Sequence, residues 1–278
     1  MRNPNFPPTL PRPDNFRVMR VDKVVHLTAR MRRLVLVPAN PAEDLDRFAV
    51  DDHLHMRLIF PPAGLAEPAW PILEAPGRIG WPGGYRMADR KYTLRRIDPA
   101  ARQATVDMVL HLQAHGPGSG FAQHAGPGDL VGMAGPGGGS VGEADWHLLA
   151  GDETALPAIA RILETLPVTA RGVVLIEAAE EAERIKLHHP AGFDLHWLFR
   201  DGKSAGPASP LAAALRAVPI PRDGSRPFVW LAGEFGLIQA SRQYFRQDCG
   251  LDRRQLLAVA YWRQGHAENP PEEHDHDQ

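Results

Sequence analysis

The chain has 278 residues, 44% hydrophobic and 23% charged, close to ordinary globular averages, which excludes global disorder and at roughly 150 residues per domain suggests two domains. Its net charge is −2, but residues 267–278 carry Glu268, Glu272, Glu273, Asp275 and Asp277 without a Lys or Arg, leaving the body at +3. That favours a small anionic ligand and is too weak for a nucleic-acid-binding face.

One cysteine, Cys249, excludes an intrachain disulfide and any Cys-rich zinc or iron–sulfur site, and fits a reducing compartment. Pro4, Pro7, Pro8, Pro11 and Pro13 interrupt the first residues where a signal peptide needs an apolar core. No apolar run reaches the about 18 residues that span a bilayer. A cytoplasmic protein without membrane insertion is expected, and a monomer.

Taken in chain order, apolar and β-branched residues concentrate at 16–28, 31–37, 53–60, 91–97, 104–111 and 129–134, each bounded by Pro, Gly or Asp. Six such strands predict a small antiparallel barrel. The proline-rich stretch 61–89, with Gly83 and Gly84, is too long for a simple turn and reads as a functional loop. After Gly142 the rhythm changes. Strands at 147–150, 173–176, 194–199, 228–232 and 256–262 alternate with helical patterns at 155–166, 210–217 and 235–248, which predicts a doubly wound parallel sheet. The expected division is 16–142, 143–265 and an acidic, disordered tail at 266–278.

Gly137, Gly139 and Gly142 have GxGxxG spacing but lead into a strand rather than a helix, so they read as a linker. In WHLLAGDETALPAIARIL a strand ends at Gly151 and passes through Asp152, Glu153 and Thr154 into a helix with Pro157 in its first turn; Asp152 or Thr154 is placed to cap it. Such a helix N-terminus offers N–H groups to a ligand phosphate, and it is equally an ordinary strand–helix turn.

In RKYTLR, strand alternation puts Arg90 and Tyr92 on one face and Thr93 on the other. A cation, an aromatic ring and a hydroxyl together suit a planar phosphorylated cofactor, although all three are common strand residues. In HLQAHGPGSGFA, His111 and His115 would pair on a metal only if helical, and Gly116, Pro117, Gly118 and Gly120 argue for a loop. That loop, with Ser119, is suited to bring backbone N–H groups to a pyrophosphate. His53 with His55, and His274 with His276, lack a third ligand, so no metal site is expected.

In order, RKYTLR, HLQAHGPGSGFA, DLVGMAGPGGGS, LLAGDETALPAIARIL, FVWLAGE and AYWRQG resemble the siderophore-interacting protein family of ferric-siderophore reductases, over residues 16–265. The resemblance implies a ferredoxin-reductase-like fold: a six-stranded antiparallel FAD-binding barrel, then a doubly wound parallel-sheet domain for NADH or NADPH. It implies Arg90 as flavin phosphate anchor, and Tyr92 and Thr93 as the residues at the reactive ring, followed by Leu94. His111, Gly116, Pro117, Gly118, Ser119, Gly120, Phe121 and Ala122 would contact the FAD; the loop is one residue longer than usual after His111, and Phe121 replaces the family's usual Trp. Gly151, Asp152, Glu153, Thr154 and Ala155 resemble its nucleotide turn.

Glu177 ends the next strand, where an acid accepts from a ribose hydroxyl, while Arg171, Arg184 and Arg200 keep NADPH open. Arg57 and Arg263 are the candidate cations for an anionic ferric siderophore, and Trp262 a flavin shield. The function so implied is FAD-dependent reduction of a chelated ferric ion by NAD(P)H. Alternatives are a generic or ferredoxin-fed flavin oxidoreductase, or a ferric-chelate-binding protein without significant turnover.

Overall fold

A computed structural model describes residues 12–50, 54–62, 64–65, 68–75, 78–84, 86–110, 116–138 and 141–266. They form two units, one of residues 1–26 with 32–140, the other of 27–31 with 141–278. The expected tail lies outside the described residues beyond His266.

The first unit contains β1 (Phe16–Thr28), β2 (Met31–Pro38), β3 (His55–Phe60), β4 (Ile72–Ala75), β5 (Arg78–Gly80), β6 (Ala88–Thr93), β7 (Arg96–Asp98), β8 (Gln103–Val109), α1 (Pro117–His124) and β9 (Leu130–Gly137). Among the described residues seven strands make one sheet, in the order β6-β3-β9-β1-β2-β8-β7, and β4 pairs only with β5. The ladders of β1 and β3 with β9, of β3 with β6 and of β7 with β8 are antiparallel.

Period-two alternation drives this sheet. In β8, Ala104, Val106 and Met108 all point inward and are fully buried, where they meet Leu34 and Leu36 of β2 and Leu58 of β3. The predicted strand 91–97 is two strands. At Leu94 and Arg95 the chain leaves β6 at one end of the order and enters β7 at the other, and Leu94 N–H bonds Leu54 O at 3.0 Å. Among the described residues the pairing runs from β6 at one end to β7 at the other without a ladder that joins these two strands.

The stretch 61–89, expected as a loop, holds the β4–β5 hairpin, and its Trp70 and Met87 cover Phe16, Val18 and Ile59 on the outer face of the sheet. Large apolar side chains can cap a sheet face that would otherwise be wet.

The second unit contains β10 (Trp146–Gly151), α2 (Leu156–Thr165), β11 (Arg171–Ala178), β12 (Gly192–Phe199), α3 (Pro210–Ala217), β13 (Pro227–Glu234), α4 (Phe235–Gln247) and β14 (Leu256–Trp262). Its five strands are parallel, in the order β12-β11-β10-β13-β14. β13 is buried along its whole length, which is why it reads as an unbroken apolar run. Leu148, Val229 and Leu231 of the sheet pack with Leu211 and Leu215 of α3 and Leu237, Ile238 and Phe245 of α4. The strand order reverses beside β10, so the carboxyl ends of β10 and β13 flank the crevice where open α/β sheets bind ligands. Among the described residues no helix is long and apolar enough to cross a membrane.

Candidate functional site

The first cluster is built on β6. Its register places Tyr92 opposite Met56 and Arg90 opposite Leu58, on the inner face. The Tyr92 ring meets Phe60 edge-on at 6.1 Å, and Phe60 in turn lies 5.3 Å from Phe121 of α1. The first turn of α1 closes on this ring, because a Cβ on Gly118 would sit 2.2 Å from Tyr92 Oη. Strand and helix are thus brought together at this ring.

The glycine-rich segment is a helix rather than the expected loop. Gly116 caps it in an extended conformation, Pro117 takes the first position where no N–H bond is lost, and Gly120 N–H bonds Gly116 O at 2.8 Å. Each helical glycine costs about 1 kcal/mol in intrinsic propensity. A buried arginine offsets that cost: the Arg32 guanidinium of β2 donates to Ala122 O at 2.5 Å, Gln123 O at 2.8 Å and Ala125 O at 3.1 Å, satisfying the last carbonyls of α1. Arg32 was not singled out from the sequence, yet it shares the inward parity of Leu34 and Leu36.

Other expected contacts are placed differently. The side chains of Leu94 and Ala122 are fully buried in the core cluster. Thr93 faces away from Tyr92, across from His55, and is 6% exposed. Arg90 donates to Asp89 O at 2.7 Å, and Arg57 is ion-paired with the Asp89 carboxylate, which Arg86 also reaches at 3.2 Å. His111 lies outside the described residues.

The residues present fit a flavin dinucleotide. The first turn of α1 directs backbone dipoles outward, it carries no side chain at Gly118 or Gly120, and the space in front of Gly120 is open to 4 Å. The aromatic ring of Tyr92 stands beside it, with a cation, Arg90, two residues back along the strand.

The second cluster lies at the carboxyl edge of the parallel sheet. Gly151 is required there, since a Cβ would come within 2.3 Å of Ala155 Cβ and 2.4 Å of Ala232 O. Ala155 is the helix cap residue of α2 and has no side-chain bond to give, so the expected capping is displaced upstream. Asp152 Oδ1 accepts from Thr154 N–H at 2.9 Å and from Thr154 Oγ at 2.5 Å, while Oδ2 accepts from Trp262 Nε1 at 2.7 Å. Burial, and then the charge of Glu153, push Asp152 up to about 6 against the lowering effect of those donors.

Glu153 grips Arg200 with both oxygens, at 2.9 and 2.5 Å. Glu177, expected on a ribose, is fully buried and engaged elsewhere: Oε2 accepts from Leu211 N–H at the start of α3, at 2.9 Å, and Oε1 from Arg200 at 3.3 Å. A strand-end acid looks the same in sequence whether it meets a ligand or a following helix. Arg171 opens β11, at the end of the strand opposite the crevice, and donates to Asp145 O at 3.2 Å. Arg184 lies 5.2 Å over Phe199, and exposed Arg263 4.7 Å over Phe235. Glu234, not singled out from the sequence, accepts from Leu237 N–H at 3.0 Å to cap α4 and from Gln264 N–H at 3.3 Å. Among the described residues no three His, Cys, Asp or Glu side chains gather as a metal site.

An antiparallel sheet followed by a five-stranded parallel sheet is the fold of ferredoxin-reductase-like proteins, and a ferredoxin reductase of carbazole 1,9a-dioxygenase superposes with a TM-score of 0.64 at 13% identity. Residues 20–140 match the siderophore-interacting FAD-binding domain, and residues 144–265 the siderophore-interacting protein family. The chain is 32% identical over 237 residues to the ferric vibriobactin reductase ViuB of Vibrio cholerae, covering 84% of this chain and 86% of that one. It is 31% identical over 267 residues to the NADPH-dependent ferric-chelate reductase of Escherichia coli K12, covering 93% and 97%. The crystal structure of a siderophore utilization protein from T. fusca superposes with a TM-score of 0.78 at 33% identity, over 92% of this chain and 95% of that one. The chain belongs to the siderophore-interacting protein family.

Proposed function

We propose that this protein is an FAD-dependent ferric-siderophore reductase, taking electrons from NADH or NADPH and releasing ferrous iron. Residues 16–142 serve as the flavin unit and 143–265 as the nicotinamide unit. The observation that carries the reading is the approach of the Tyr92 hydroxyl to Gly118 in the first turn of α1, with open space at Gly120 next to it, which sets an aromatic ring beside an anion-binding helix end on one strand–helix pair.

Bound flavin supplies the exchange between two-electron and one-electron steps. The protein's own residues bind and orient. The α1 first turn and Arg90 neutralise the diphosphate, Tyr92 packs on the ring, and the backbone of Thr93, whose side chain turns to the other face of β6, borders the reactive edge. The Gly151–Ala155 turn receives the nicotinamide nucleotide. Arg57 stays partly accessible beside Asp89, and Arg263 is exposed after β14; each is a cation suited to an anionic ferric chelate. A one-electron reduction then weakens the chelate, because hard oxygen ligands hold the less charged ion less tightly.

The test is the visible spectrum of the purified protein, followed by anaerobic addition of NADH or NADPH and then of a ferric siderophore. Bleaching of the flavin, then its recovery with ferrous iron appearing, is the expected course. Protein that refuses FAD would overturn the cofactor assignment. Flavin that ignores both nucleotides but accepts electrons from a ferredoxin would replace the donor, and tight chelate binding without reduction would make the protein a binder.

A further inference from the structure

Asp152 is 1% exposed, and its side-chain oxygens accept from neutral donors: the N–H and hydroxyl of Thr154 on Oδ1 and the indole of Trp262 on Oδ2. The backbone of Gly233 closes in beside it, since a Cβ there would lie 2.8 Å from Oδ2. Buried Glu177 differs, because it shares the guanidinium of Arg200. A buried carboxylate whose bonded partners are neutral is held ionised by those hydrogen bonds, and each of them is stronger to the charged form than to the neutral one. One of them crosses 110 residues of chain, tying the end of β14 to the β10–α2 turn.

We propose that Asp152 is a positioning residue whose ionised carboxylate holds Trp262 against the β10–α2 turn, and that a proton taken up at this carboxylate frees the indole and loosens the turn. The link to nucleotide binding rests on the reading of that turn as the nicotinamide site; the tether itself does not.

The charged groups on the surrounding elements are Glu153 on the same turn, Glu177 at the end of β11, Arg200 after β12, Glu234 at the end of β13 and Arg263 after β14. Glu153 is answered by Arg200, and Glu234 is engaged with α4 and Gln264 N–H. A proton arriving on Oδ2 confronts the Trp262 N–H, a donor, so that bond must break. A proton on Oδ1 requires the Thr154 hydroxyl to turn and accept, and the indole is left with a neutral and weaker acceptor.

The full-length, FAD-loaded protein is labelled at the indole nitrogens, and the Trp262 Nε1–H resonance is identified by its loss in Trp262→Phe. Across about pH 5 to 8 this resonance should move with a midpoint near that of the buried acid. Thr154→Val removes a bond that favours the charged form, so the midpoint should move upward; in Asp152→Asn the titration should vanish. A Trp262 resonance that stays fixed over this range, or one that titrates unchanged in Thr154→Val, overturns the proposal even if Asp152→Asn does not fold. A second readout is the dissociation constant for NADH in anaerobic flavin reduction, NADH being chosen because it lacks a titrating 2′-phosphate. It should weaken several-fold on acidification in the wild type and stay flat in Asp152→Asn. A protein whose flavin NADH never reduces fails the nicotinamide reading, and the indole titration still decides the tether.

Discussion

The two units set a helix N-terminus beside a strand by opposite means. In the second unit α2 follows β10 directly, and the close approach is made by the absence of a side chain at Gly151 and by hydrogen bonds within the turn at Asp152 and Thr154. In the first unit α1 is held from its far end, by a guanidinium that comes from β2, 90 residues earlier. A local turn orients one helix, and a long-range clamp orients the other. The first arrangement is fixed by steric exclusion and tolerates no added atom; the second is fixed by polar bonds in a buried place and tolerates no lost one.

The largest effect should come from the clamp. Arg32→Met leaves three carbonyls at the end of α1 without their donor, and the expected destabilisation is about 4 kcal/mol, read by urea unfolding, with FAD affinity falling further than stability as the α1 first turn drifts from Tyr92. If affinity for FAD is unchanged in folded Arg32→Met, α1 is oriented by its own packing and the contrast between the units dissolves.

Next is Gly151→Ala. The added methyl overlaps both Ala155 and a backbone oxygen that cannot move aside, so a loss of about 3 kcal/mol is expected. The nicotinamide step should suffer while FAD binding to the first unit persists, which flavin titration beside nucleotide kinetics would separate.

Asp152 gives a pH-dependent effect. Its pKa rises from 3.8 unfolded to about 6 folded, so within that window the folded protein keeps a proton that the unfolded chain has lost. The site therefore favours the fold at the acid side, and its contribution disappears as pH rises through about 6. Asp152→Asn has no such dependence, and its stability relative to wild type should climb by on the order of 2 kcal/mol between about pH 4 and pH 7. A pH-independent difference in melting would show that the carboxyl is not shifted.

The smallest loss of stability is expected for Gly118→Ala, about 1 kcal/mol, because the atom in the way is the far end of the Tyr92 side chain, which can swing. The ring should turn with it, and a changed flavin absorption envelope with nearly native melting is the anticipated pair of results.

Much of this was legible in the chain itself. Alternation at 104–108 and 31–37 marks inward positions because a strand turns over every residue, and the unbroken apolar run of β13 marks a strand buried on both faces. Gly151 followed by Asp-Glu-Thr and a proline marks a strand–helix turn because those residues solve a local geometric problem. The resemblance named Tyr92 and the 116–122 segment, and the fold sets the Tyr92 hydroxyl against Gly118.

Only the tertiary structure decided the rest. The glycines of 116–120 argued for a loop, since propensity is local, and Arg32 outweighed them from β2. Glu177 had the position of a ribose ligand, and the start of α3 took its carboxylate instead. The partners of Asp152 could not be read from its neighbours, because the indole that meets it lies on the last strand. A sequence records the period and the turn chemistry of each segment. Which buried polar group meets which depends on distances between segments that only folding brings together.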